Sequence, residues 1–224
     1  MSNLSPEQSV EFIDSSRHAF EHLFTAIDGY IDAIASARRN LADIERDEEV
    51  FTHLFVDRDQ WSADANHLHA QYCEKMKVLA LEKSESNKSK EERLSNALES
   101  IGATIDSMSV LAGAVLQIAK QIISLRHGRK KPIIDKAKMI GSQNIVEIIW
   151  EGRNHAAHWE ENEPRNEAVT TMLTTLSEEL GLDIHYGKNN SPTILEALNW
   201  HSADHVIGDL VQLVQQPLPA ENNH

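Results

Sequence analysis

The chain has 224 residues, 41% of them hydrophobic, and its 21 basic and 35 acidic residues give a formal charge of −14. That length buries a substantial core unaided, and the single cysteine, Cys73, excludes an internal disulfide framework. The acidic balance argues against loose binding of polyanions over the whole surface, and a lone thiol fits a reducing compartment, so a cytoplasmic location is expected.

The opening MSNLSPEQSVEF has neither the basic start nor the apolar stretch of a signal peptide. Ser5-Pro6-Glu7-Gln8 reads instead as a helix cap, with proline at the first helical position and a glutamine placed to close a capping box. Val10, Ile13, Phe20, Leu23, Ile27, Ile31, Ile34, Leu41 and Ile44 then recur in steps that sum to threes and fours, predicting a helix over about 5–46. A second helix carries Trp61, Ala65, Leu68, Tyr72, Met76 and Leu79. The polar stretch EKSESNKSKEER that follows has no apolar period and is expected to be a loop.

From Leu94 to Leu125 the apolar residues alternate by threes and fours, the seam of a helical bundle, and Gly128 and Pro132 are expected to end it. Its most apolar part, SVLAGAVLQIAKQIISL, is broken by Gln117, Lys120 and Gln121, so it reads as a buried helix, and no membrane partner is expected. The segment RHGRKKPIIDKAK, 126–138, then sets six basic residues against one acid, a local +5 that leaves −19 for the rest. Two readings fit: a docking spot for phosphate through Arg126, Arg129, Lys130 and Lys131, or a solvated turn whose lysines complement helix dipoles. Further helices are predicted at about 135–161, at 164–180 up to a stop at Gly181, and at 192–216 from Ser191-Pro192. Only GLDIHYGKNN has room for a short extended piece. The expectation is one all-α domain over 1–224, a bundle of long antiparallel helices with its centre at about 60–181.

The stretch EGRNHAAHW, 151–159, concentrates polar chemistry on the 135–161 helix. Ile145, Ile149, Gly152, Ala156 and Trp159 form one stripe. Glu147, Glu151, Asn154, His158 and Glu161 form another, about 200° away around the axis, facing water or a partner. Asn154 and His158 stack one turn apart, and Arg153 has the length to reach the same space. A permanent cation, a group titrating near neutrality and an orienting amide suit phosphate chemistry. Trp150 and Trp159 read as core or interface anchors rather than base-stacking platforms.

Arg153-Asn154-His155-Ala156-Ala157-His158 resembles the R-x(4–6)-H motif of HEPN domains, including the polar residue after the arginine. The resemblance covers about 25 residues around the motif and, as architecture, about 120. It implies an all-α fold and a metal-independent ribonuclease without cofactor. Two copies would dimerise so that both motifs line one cleft, and RNA would be cut by its own 2′-hydroxyl to leave a 2′,3′-cyclic phosphate. Arg153 would then contact the scissile phosphate, His158 would act as acid or base, and Asn154 would hold geometry or RNA. The resemblance gives His155 no role. It also implies a toxin–antitoxin or antiviral setting, with an antitoxin or defence-system partner. The acidity elsewhere favours a restricted RNA such as a tRNA loop.

Other constellations compete. His155 and His158 with Glu151, or His201 with His205, have metal-ligand spacing, as His67 and His69 do less well, but no second Glu-x-x-His motif supports a carboxylate-bundle site, and no metal is expected. Glu151 reads as a solvated or salt-bridged residue that can pair with His155 at i, i+4. No P-loop, dinucleotide fingerprint or nucleophile elbow occurs. The reading from a different class is a non-catalytic helical dimer that binds RNA or a protein.

Overall fold

The protein was analysed as a computed structural model, which describes residues 3–56, 66–160, 167–184 and 187–217, with side chains described outside 43–90. Trp61, His67, His69, Cys73 and Glu161 therefore lie outside the described residues or side chains. Among the described residues the element order is α1 (Pro6–Val56), α2 (Asn66–His127), β1 (Met139–Ile140), β2 (Gln143–Asn144), α3 (Ile145–His158), α4 (Glu167–Leu180), α5 (Ser191–Ala197) and α6 (Ala203–Gln215). The fold is all-α, as expected, with a single two-residue hairpin. The chain divides into two compact units, one of Met1–Ile31 with Asp106–His224 and one of Asp32–Ile105.

Helix α1 starts where the capping box places it. The Gln8 backbone N–H donates to Ser5 Oγ at 3.2 Å, and Gln8 Oε1 accepts from the Ser5 backbone N–H at 2.9 Å. The helix continues to Val56, beyond the expected end near 46. Helix α2 departs further from the sequence reading. Instead of two helices separated by a loop at EKSESNKSKEER, one helix runs from Asn66 to His127. Eight of those twelve residues are Glu, Lys or Arg, all good helix formers, and neither glycine nor proline interrupts the chain from Asn66 to Ile101. The stretch is helical although it carries no apolar stripe. By length and mean hydropathy the Glu91–His127 stretch is also apolar enough to cross a membrane, and 39% of its most apolar window is buried.

In the larger unit one core joins Ile13, Phe20, Phe24 and Ile27 of α1 to Ala112, Val115, Leu116, Ala119, Ile122 and Ile123 of α2, and to the apolar faces of α3 to α6. Gly128 ends α2 with a φ of +98°, its N–H donating to Ser124 O at 2.9 Å. That last turn is braced from two sides. The Leu4 N–H donates to Leu125 O at 2.9 Å, and Arg126 Nε donates to Val214 O at 3.0 Å at the end of α6. His127 Nε2 sits 3.1 Å from Leu213 O, and burial holds its imidazole below the usual histidine range.

The hairpin β1–β2 replaces the start of the helix expected from about 135. Asn144 closes it and caps α3, its Oδ1 accepting from the Glu147 N–H at 2.9 Å. Glu179 of α4 holds the turn by accepting from the Ser142 N–H at 2.6 Å. Helix α4 stops at Gly181, as its sequence signals. The helix expected over 192–216 is broken into α5 and α6. Asn199 takes a φ of +58°, and Trp200 turns inward to 1% exposure, its Nε1 donating to Asp209 Oδ2 at 2.9 Å.

Candidate functional site

Helix α3 is buried on nearly all sides in its first half, where Ile145, Val146, Ile148, Ile149, Trp150, Glu151 and Gly152 are all buried. Small residues let it approach its neighbours closely. A Cβ on Gly152 would lie 3.1 Å from Ile194 Cγ2 of α5 and 3.4 Å from Leu116 Cδ1 of α2, and one on Gly113 would lie 3.1 Å from Ala156 Cβ. Gly152 and Ala156 thus face the core side as their period implied. That close approach brings Gln117 and Lys120 of α2 within reach of the second half of α3.

Two contacts result. Arg153 Nε donates to the side-chain oxygen of Gln117, and Lys120 Nζ donates to Asn154 Oδ1 at 2.9 Å. Asn154 Nδ2 in turn donates to Glu151 Oε2 at 3.0 Å, and Glu151 Oε1 receives Lys131 Nζ at 3.0 Å, with Glu147 3.6 Å from the same ammonium. The Asn154 amide is therefore oriented unambiguously, its oxygen toward an ammonium and its nitrogen toward a carboxylate; the reverse would set donor against donor. Lys120 also lies over the indole of Trp150, 4.4 Å from the ring centroid. Burial, and then the nearby positive charge of Arg153, lower the ammonium's pKa, with Glu151 opposing.

The motif residues are distributed along this arrangement. Arg153 and Asn154 are half-buried against α2, and His158 is exposed in the last turn of α3. Five residues separate Arg153 from His158, about 7 Å of helical rise. Glu151 corrects the expected stripe: it is 4% exposed and buried among its partners rather than facing water, because the network reaches across to Lys131. His155 is buried as well. Its Nε2 accepts from the Asn190 backbone N–H at 3.1 Å and pins the residues entering α5. Burial lowers its pKa, with a backbone hydrogen bond at Lys188 opposing, so the neutral ring is favoured.

The basic segment also divides. Arg126, expected to face RNA, is 6% exposed and spends its guanidinium on the carbonyls of Val214 and Gln216. Lys131 is engaged by two glutamates. Arg129 and Lys130 are exposed. His201 and His205 pair locally, His201 Nε2 lying 3.0 Å from Asn199 Oδ1. Gln117 and Lys120 joined the site without being singled out for it. Their one signal was that they interrupt the most apolar stretch of the chain.

No family model, curated protein or solved structure matches the chain.

Proposed function

We propose that the protein is a metal-independent endoribonuclease of HEPN type, acting in the cytoplasm as a toxin or in antiviral defence, with its site completed by a second copy of the chain. The observation that carries this reading is the fixed Asn154 amide between Lys120 and Glu151, beside the half-buried Arg153. Together these hold motif residues in one geometry and keep positive charge at the base of a helix whose last turn exposes His158. In the reaction the 2′-oxygen of RNA attacks the adjacent phosphorus and the bond from phosphorus to the 5′-oxygen breaks. A base takes the 2′-hydroxyl proton and an acid supplies one to the leaving oxygen. His158 serves one of these roles and Arg153 stabilises the charge on the phosphoryl oxygens. Arg129 and Lys130, exposed just after the end of α2, hold the RNA backbone.

The purified protein is incubated with total RNA and with tRNA in the presence of chelator, beside Arg153→Ala and His158→Ala. Cleavage that survives chelation and disappears in both variants is expected. Cleavage unchanged in the variants, or none with any RNA, overturns the assignment. In the second case a non-catalytic dimer becomes the better reading, supported by Leu98 and Ile105 of α2, large apolar residues that are 57% and 38% exposed.

A further inference from the structure

Three of the described cations of this chain pair with carboxylates: Arg17 with Asp204, Lys131 with Glu147 and Glu151, and Lys138 with Asp209 at 3.0 Å. Lys120 and Arg153 differ. Both are half-buried, they stand beside each other across the α2–α3 contact, and the hydrogen-bond partner of each is a neutral amide, Asn154 for one and Gln117 for the other. An acidic chain has no shortage of carboxylates with which to neutralise such a pair. Like charges held together with an indole face beneath one of them repel; burial first, and then the charge of Arg153, lower the pKa of Lys120, with Glu151 opposing. An anion placed between them would remove that cost.

We infer that Lys120 and Arg153 form a two-cation site for a phosphoryl oxyanion, with Asn154 and Gln117 holding the two cations in place. Lys120 is then a phosphate-binding residue contributed by α2, outside the motif. Glu151 acts behind the site as a positioning residue: it fixes the amide that aims the ammonium, while its own charge is matched by Lys131. In the RNA reading, on which the identity of the ligand as a phosphodiester rests, the pair would grip the non-bridging oxygens, Arg153 by its planar fork and Lys120 as a point charge. The binding of phosphate itself does not depend on that reading.

The test follows the Lys120 side-chain NMR signals through a pH titration of the full-length protein, in inorganic phosphate and in chloride of equal ionic strength. Phosphate is expected to raise the Lys120 titration midpoint by about 1 pH unit or more, the effect of an opposite charge at contact distance, and the rise should vanish in Arg153→Gln. Binding to a DNA oligonucleotide, which lacks the 2′-hydroxyl and is not cleaved, should weaken at least about tenfold in Lys120→Gln, the size of one charge-assisted contact. Lys120→Arg should restore it. A midpoint that is the same in phosphate and chloride, or a rise that persists in Arg153→Gln, overturns the inference. RNA cleavage without a phosphate effect would sink this site and leave the ribonuclease standing. A phosphate effect without cleavage would do the reverse.

Discussion

Replacing Arg126 by methionine separates a structural arginine from an RNA-binding one. The guanidinium is 6% exposed; its Nε donates to Val214 O at 3.0 Å in buried surroundings, and an Nη reaches Gln216 O at 3.4 Å. The shorter bond is charge-assisted and closes a carbonyl that the end of α6 leaves without a helical partner, worth about 1.5–3 kcal/mol. The longer one lies beyond the usual range and adds little. Methionine keeps most of the buried volume, so the cavity term is small. The expected loss is about 2 kcal/mol, or about 4–8 °C in the thermal midpoint of a chain this size. Thermal unfolding followed by circular dichroism, beside RNA binding at several salt concentrations, checks it. Arg126→Met should unfold early yet keep the salt slope of the wild type, whereas Arg129→Gln with Lys130→Gln should flatten the slope and leave the midpoint unchanged. An Arg126→Met midpoint within about 1 °C of wild type, with a flattened slope, would refute the argument from burial.

At Gly152, alanine should change stability little, because a gain of about 1 kcal/mol in helix propensity offsets the squeeze against Ile194 and Leu116. Valine there should cost about 2–3 kcal/mol in urea unfolding, and equal stability of the two variants would contradict the close packing. His155 makes stability pH-dependent. Its folded pKa is depressed below 6.5, so its contribution is complete above about pH 6.5. Below that the unfolded chain takes up a proton that the folded one resists, and stability falls until the folded pKa is reached. The loss of thermal midpoint between pH 7.5 and 5.5 should shrink in His155→Asn; an unchanged loss assigns the acid sensitivity to other groups. Trp200→Phe removes the bond to Asp209 but leaves that carboxylate its contact with Lys138, so a loss of about 1–2 kcal/mol is expected. A loss below about 0.5 kcal/mol would mean that the Trp200–Asp209 bond contributes little.

What was legible in the sequence is what local chemistry decides. The Ser5–Gln8 box, the Gly128 and Gly181 stops and the Ser191-Pro192 start each depend on residues within one turn, and each stands where the pattern puts it. Period reading failed where a polar stretch of good helix formers carries no apolar stripe, at 82–93 in α2, and where two residues per strand are too few to show alternation, at 139–144. The break at Asn199 was hidden because its cause lies ten residues on, in the Asp209 carboxylate that draws Trp200 inward. In the candidate site, spacing and resemblance single out Arg153, Asn154 and His158. Glu151 and His155 were misjudged or left unassigned because partners 20 and 35 residues away bury them. Lys120 was visible only as an interruption, since nothing local reveals that Asn154 waits across a helix contact.

The bracing of the last turn of α2 brings the two described chain ends to one spot, with Asn3 and Leu4 beside Leu125 and Gly128, and Val214 and Gln216 on Arg126. A short linker from 217 to 3 would therefore close the chain into a ring, and a circular permutant opened elsewhere should keep the same core.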